Sequence, residues 1–283
     1  MNALNSPIHV EHEEHISWII LNRPEAGNAL SPALLNEFSV ALESLQFEGA
    51  AVIGIRGTGK GFCSGMDLGS YAKSDSGPAD PMSDQSRLLK NVERWLRMWD
   101  HPKPIIAAVH GYCLGAAAQM CVFADITIVA DDVHIGEPTI PIGGGYIAPA
   151  WVNLVGHKRA KELAFVPGNW IDGPTAVEWG WANHSVKATD LLEAVRSLAA
   201  RIAMTPPDVL RLKKLSINRA AEAAGFRQAL SGIAEIDALL HLAPAVIELR
   251  ERIKRQGIKS VIEEYKVAPT STLVWSKEQI WPK

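Results

Sequence analysis

From Pro104 to Ala124 the chain runs for 21 residues without a formal charge (PIIAAVHGYCLGAAAQMCVFA). A stretch of that length is either a membrane span or a segment buried inside a fold. Pro104, His110, Gly111, Gly115 and Gln119 interrupt it, and much of its apolarity is alanine. These residues divide it into a strand over Ile105–Val109, a turn at His110-Gly111 and a helix over Leu114–Phe123. The expectation is a buried strand–turn–helix and no membrane span.

The flanking sequence fits that reading. Ile16–Leu21, Ala51–Ile55 and Ile126–Val129 are short apolar runs that read as further strands. Ser31-Pro32 opens a helix that runs to about Gln46. Arg87–Trp99 is amphipathic through Leu88, Val92, Trp95, Leu96 and Trp99. Residues 69–86, rich in Ser, Gly, Pro and Asp, read as a mobile loop. Buried strands alternating with helices predict an α/β fold. From about residue 157 helices take over: His157–Phe165, Gly173–Trp181, Asp190–Met204, Pro207–Ala223, Phe226–Leu240, Val246–Arg255 and Ile258–Tyr265. The expected division is an α/β core over residues 1–200 and a helical region over 201–283, with an irregular extension from Val267.

With 47% apolar and 21% charged residues in a chain of 283, extended disorder and fibrous classes are excluded. A net charge of −3 without a basic stripe argues against nucleic acid as a partner. Cys63, Cys113 and Cys121 are odd in number and form no Cys-x-x-Cys or Cys/His cluster. Neither a disulfide framework nor a metal site is expected, and a reducing cytoplasm fits. The first residues, MNALNSPIHVEHEE, are polar and acidic, with no apolar signal core.

Three segments together carry a resemblance: LNRPEAGNALSPALLNEF (21–38), GTGKGFCSGMDL (57–68) and KPIIAAVHGYCLGAAAQMCVFADITIVADDVHIGEPTIPIG (103–143). GHKRAKELAFVPGNWIDGPTAVEWGWAN (156–183) extends it. In their order and spacing, over roughly residues 10–260, they resemble the crotonase (enoyl-CoA hydratase/isomerase) superfamily. The resemblance implies an α/β spiral of ββα units with C-terminal helices that assemble a homotrimer or a dimer of trimers. It also implies an acyl-CoA thioester as substrate, with coenzyme A part of the substrate and no separate cofactor. The shared chemical step is stabilisation of an enolate beside the thioester carbonyl.

Two backbone N–H groups in a dry pocket stabilise such an oxyanion, and small residues let the backbone approach it. The resemblance places one donor on the amide of Met66 in Ser64-Gly65-Met66-Asp67-Leu68. It places the other on Ala116, after Gly115. Asn28 and Ala29 fall in the first segment and join Ser64, Gly65, Asp67, Leu68 and Gly115 as expected coenzyme-A-side residues. Asp67 reads as a structural cap rather than an acid catalyst.

In hydratases of the superfamily two glutamates handle the water and its proton. The corresponding positions here are Gln119 and Thr139. A Gln amide does not exchange protons as a base near neutral pH, and a Thr hydroxyl needs an adjacent base. Glu137, two residues before Thr139, and Tyr146, after Gly143–Gly145, are the alternative proton carriers. Glu137 also reads as a capping or ion-paired carboxylate, and Tyr146 as a packed tyrosine. His110 reads as hydrogen-bonded support, His134 as a strand-edge surface residue, and Cys63 and Cys113 as packing residues. Tyr71, Trp95 and Trp99 are either acyl-pocket or core aromatics. The expected function is an acyl-CoA enzyme doing isomerase, lyase, decarboxylase or hydrolase chemistry rather than efficient hydration. The alternative is a catalytically silent acyl-CoA binder.

Overall fold

A computed structural model describes residues 6–69, 80–137, 140–141, 148–166 and 168–267. The chain opens with an antiparallel pair, β1 (Ile8–His12) and β2 (Ile16–Leu21). Helix α1 (Pro32–Ser44) starts where predicted: the Ser31 hydroxyl accepts from the Leu34 amide and Pro32 presets the first turn. Strand β3 (Val52–Gly57) follows, then α2 (Pro81–Trp99), β4 (Ile105–Val109) and β5 (Tyr112–Leu114). Next come α3 (Ala116–Val122), β6 (Ile126–Ala130), β7 (His134–Gly136) and α4 (Ala148–Phe165). The second half holds β8 (Trp170–Ile171), α5 (Gly173–Trp179), β9 (His184–Val186), α6 (Leu191–Ala203) and α7 (Pro207–Ala223). Helices α8 (Phe226–Ser231), α9 (Ile233–Leu240), α10 (Pro244–Gln256) and α11 (Ile258–Val267) complete it.

Three expectations need correction. Residues 81–86, read as loop, form the first turns of α2, because Asp80 caps the Ser83 amide and Pro81 sits at the helix start. The rest of that stretch, Tyr71 included, lies outside the described residues. Leu114 belongs to a strand rather than to the following helix, since Gly115 at φ +56° separates the two. Phe226–Leu240 is two helices broken at Gly232. The uncharged stretch is divided among β4, β5 and α3, and no single helix among the described residues is long and apolar enough to cross a membrane.

The main sheet has the order β1-β2-β3-β4-β6-β9 and is parallel from β2 onward. Period-two alternation splits its side chains between two cores. Ile19, Leu21, Ile53, Ile55, Ile105, Ala107 and Val109 face the larger core, shared with α1, α2 and α3. Ile16, Trp18, Ile20, Ile106 and Ala108 face the other, covered by Leu191, Val195 and Ala199 of α6. A sheet buried on both faces explains why its strands read as unbroken apolar runs. A smaller sheet, β5-β7-β8, carries the strand ends that matter below.

One ion pair ties the C-terminal helices to this core. Lys214 of α7 donates to Asp125 at 2.7 Å and to the carbonyls of Met98 and Lys103. Burial lowers the Lys214 pKa and raises that of Asp125, so desolvation outweighs their mutual attraction. Removing one partner of such a pair strands the other. Lys214→Ala is expected to cost roughly 3–5 kcal/mol in denaturant unfolding. Asp125→Asn in that background recovers part of the loss, because Asn keeps an acceptor for the Ile105 amide now bound by Asp125.

Candidate active site

The three segments singled out in the sequence come together edge to edge. Leu30 N–H donates to the Gly65 carbonyl (2.8 Å), Asp67 N–H to Leu30 (3.3 Å) and Ser64 N–H to Gly27 (2.9 Å). On the opposite edge Phe62 N–H donates to His110 (2.9 Å) and Cys63 N–H to Tyr112 (3.1 Å), while Leu114 N–H returns a bond to Cys63 (3.0 Å). Gly115 N–H then donates to the Gly136 carbonyl at 2.8 Å, which adds the end of β7.

Glycine is required at two of these contacts. Gly65 has φ +94°, and a Cβ there would stand 2.8 Å from the Leu114 carbonyl oxygen and 3.5 Å from the Ala116 nitrogen. Gly115 adopts φ +56°, ψ −124°, which side-chain-bearing residues rarely reach. The chain at Gly65-Met66 is thereby packed against the first turn of α3. The amides of Met66 and Ala116 donate to no partner among the described residues. Met66 bridges Leu30 through the Gly65 carbonyl and the Asp67 amide, so its own N–H lies on the other edge. Ala116 is the first residue of α3, where N–H groups have no intrahelical acceptor.

The surrounding side chains hold this arrangement. Asn28 is fully buried at φ +54°; its amide donates to the carbonyls of Thr58 and Gly61 and its side-chain oxygen accepts from the Arg23 amide. Arg23 also pairs with Asp67 at 3.0 Å and donates to the Ala29 carbonyl. Leu68 N–H closes a turn onto Met66. The His110 ring bonds the Gly59 carbonyl, and exposed His134 lies against Trp170. Burial pushes the Cys63 thiol up to about 12 and raises Cys113 well above its ordinary value, which leaves neither a nucleophile at neutral pH. Trp95 is buried in the core beside Phe38, and Trp99 stacks on Phe226.

Gln119 is fully buried on α3, one turn beyond Ala116. Thr139 and Tyr146 lie outside the described residues. Glu137 follows directly on Gly136, the residue that anchors Gly115, and its backbone is fixed by a bond to the Asn169 carbonyl. Its side chain is buried, and Oε1 has no hydrogen-bond partner among the described residues. Burial, with help from the Asp237 carboxylate, raises its pKa to about 8. Glu137 is therefore largely a neutral carboxylic acid at pH 7.

The sequence reading missed Asp84, Asp237 and His241. Asp84 and Asp237 are buried, and His241 Nδ1 lies 2.5 Å from Asp84 Oδ2. The signal for two of these three residues was present, since Asp237 and His241 are spaced i, i+4 at the end of one helix. Asp84 sits in the stretch read as loop, which hid its connection to them.

Comparison with known proteins points one way. A family model for enoyl-CoA hydratase/isomerase matches residues 11–241. The hydroxycinnamoyl-CoA hydratase-lyase of Pseudomonas fluorescens is 34% identical over 220 residues, 76% of this chain and 79% of that one. The mevalonyl-coenzyme A hydratase sidH of Aspergillus fumigatus is 30% identical over 226 residues, 78% of this chain and 81% of that one. A solved structure of a candidate enoyl-CoA hydratase/isomerase from Novosphingobium aromaticivorans DSM 12444 is similar at TM-score 0.88 and 53% identity, covering 92% of this chain and 94% of the other. An enoyl-CoA hydratase/isomerase from Xanthobacter autotrophicus Py2 follows at TM-score 0.86 and 32% identity, covering 92% and 97%.

The raised carboxyl of Glu137 has a signature in stability. The fold holds this proton to about pH 8, whereas an ordinary glutamate releases it near 4.5. The resulting stabilisation is fully present below that lower value and is lost as pH rises through the upper one. Glu137→Gln, which imitates the neutral acid, is expected to flatten the decline in Tm between about pH 4.5 and 8. A decline as steep as in the unaltered protein would contradict the assignment.

Proposed function

The chain belongs to the enoyl-CoA hydratase/isomerase family, and from that premise we propose that it breaks a C–C bond beside the thioester carbonyl of an acyl-CoA and protonates the resulting enolate through Glu137. The observation that carries this reading is the buried Glu137 carboxyl, whose Oε1 has no hydrogen-bond partner among the described residues, at the strand end that anchors Gly115. In this reading the amides of Met66 and Ala116 receive the enolate oxygen, each contributing on the order of 100- to 1,000-fold in rate. The bonding pair of the broken C–C bond stays on the thioester side as the enolate, while the departing carbon leaves as a carbonyl compound formed from a β-hydroxyl that gives its proton to solvent. Glu137 gives its proton to the α-carbon, becomes a carboxylate and regains a proton from water.

A group held as an acid suits this step better than it suits removal of a proton from a resting substrate. Two-carboxylate hydration is disfavoured because Gln119 and Thr139 stand where the glutamates would be. The similarity to a hydratase-lyase supports C–C cleavage within the family's range. A silent acyl-CoA binder has no use for a proton carrier, and a buried acid whose Oε1 has no partner among the described residues weighs against it. Coenzyme A is part of the substrate in this reading.

Assembly belongs to the same proposal. Leu212, Leu215 and Ile217 of α7 and Ile236 and Leu239 of α9 are exposed apolar side chains. Their burial in a closed homotrimer, or a dimer of trimers, gives a solution mass of three or six chains. A monomeric mass would contradict this.

The decisive measurement is α-proton exchange of a panel of acyl-CoAs in deuterated water. Exchange uses the Glu137 carboxylate as base, so its rate is expected to rise with pH and level off above about 8. Glu137→Gln is expected to reduce it by roughly 100-fold or more while coenzyme A binding persists. Unchanged exchange in that variant ends the role of Glu137; binding without exchange on any chain length supports the silent binder. Crotonyl-CoA hydration is expected to be very weak and to rise in the double variant Gln119→Glu with Thr139→Glu.

A further inference from the structure

Strands β7 and β8 run antiparallel, with Ile135 opposite Ile171 and Gly136 opposite Trp170. The next step in that register sets Glu137 opposite Asn169. A bond from the Glu137 N–H to the Asn169 carbonyl at 2.9 Å carries the pairing past the end of both strands. The approach is close: a Cβ at Gly136 would stand 2.0 Å from the Asn169 carbonyl oxygen and 2.7 Å from the Trp170 Cα. Side chains directly opposite in an antiparallel pair leave from the same face, with Cβ atoms about 4.5–5.5 Å apart. Glutamate and asparagine are long enough to meet across such a gap.

Asn169 is held firmly. Its N–H donates to the Val166 carbonyl at 3.0 Å, closing a turn in which Gly168 has φ +72°. Its Nδ2 donates to the Glu162 carbonyl at 3.2 Å, in the last turn of α4, where carbonyls run out of intrahelical donors. A carbonyl only accepts, so the amide nitrogen must face Glu162 and the amide oxygen must point elsewhere. Asn169 is 2% exposed and Glu137 8%. Neither Oδ1 of Asn169 nor Oε1 of Glu137 has a hydrogen-bond partner among the described residues.

Two buried acceptors on one cross-strand pair are unfavourable unless one of them carries a proton. The amide oxygen does not, whereas a neutral carboxyl has one O–H to give. A bond from that O–H to Oδ1 favours the acid over the carboxylate, in the same direction as burial. The other groups around the pair offer no substitute. Asp237 of α9 acts on Glu137 in the same sense as burial, and β5 sets Leu114 opposite Gly136. His134 is exposed against Trp170, Asp172 caps the Thr175 amide, and the Glu162 side chain is exposed.

We propose that Asn169 is a positioning residue for Glu137: its Oδ1 accepts the Glu137 O–H, fixes the carboxyl on the shared face of the β7–β8 pair, and holds the proton there until an enolate takes it. This rests on the reading of Glu137 as the proton carrier. When the enolate electron pair forms the C–H bond, the O–H pair stays on Glu137, and the carboxylate then faces Oδ1, acceptor against acceptor. That mismatch favours recovery of a proton from water.

The test reads the Glu137 carboxyl by carbon-13 NMR of the full-length protein labelled in its glutamate carboxyls, with Glu137→Gln identifying the resonance. Asn169→Ala removes the acceptor and is expected to move the ionisation midpoint to lower pH by about one unit. Asn169→Asp places a second carboxyl opposite and is expected to move it to higher pH by about as much. Both variants lose the Nδ2 bond to Glu162, so a role confined to capping α4 moves the midpoint the same way in both or in neither. Either of those results in folded protein overturns the proposal. Where the variants do not fold, the unaltered protein decides: the side-chain amide resonances of Asn169 are expected to titrate with the Glu137 midpoint and to stay fixed in Glu137→Gln. An Asn169 amide that ignores the Glu137 titration overturns the proposal. The underlying reading fails separately, if Glu137→Gln exchanges the α-protons of acyl-CoAs like the unaltered protein.

Discussion

The backbone ladder that binds residues 62–67 between Gly27–Leu30 and the β5 strand is what the rest of the site depends on. It recruits a loop into a sheet-like layer on both edges, which is otherwise the privilege of a strand. The bonds taken up by Gly65 and Asp67 turn the Met66 amide away from Leu30. The bond from Gly115 to Gly136 fixes the start of α3 against β7 and so sets where Glu137 emerges. Two amides without acceptors among the described residues, and the backbone that carries Glu137, thus come from three distant parts of the chain, joined by main-chain bonds that the Asn28 and Arg23 side chains support.

Charge is handled in two ways inside the molecule. Where a buried charge serves the fold it is surrounded: Lys214 has two carbonyls and a carboxylate, and Asp84 has a guanidinium and an imidazole. Glu137 has none of this support among the described residues and is neutral instead. A buried carboxyl without compensation is unfavourable as an anion and tolerable as an acid. The contrast assigns different tasks to groups of one chemical type without appeal to their place in the sequence.

Much of the fold was legible because its strands are buried on both faces and its helices carry clear starts. Ile16–Leu21 and Ile105–Val109 announce themselves as apolar runs, and Ser31-Pro32 as a helix start. The short strands of the second sheet were not legible. His134–Gly136 and Trp170–Ile171 are too brief for periodicity, and their pairing is set by neighbours far along the chain. The start of α2 was hidden for a different reason: Ser, Asp and Pro favour turns and helix N-termini alike, and only the cap at Asp80 decides between them. At the site, Met66 and Ala116 came from the family resemblance rather than from local pattern, and their amides have no acceptor among the described residues. The Asp84–His241 contact joins residues on separate elements and left no trace in local spacing.

Asn28 shows how narrow the tolerance of such a ladder is. Its backbone sits at φ +54°, while its side chain must both donate twice and accept once in a space without water. Glycine would satisfy the first demand and abandon the second. Aspartate would tolerate the backbone but turn a second oxygen toward two carbonyls that need a donor. Larger residues meet neither demand. As copies of this chain diverge, the position is closed to drift from two independent directions, so its permanence would reflect architecture even where the chemistry carried out nearby has changed.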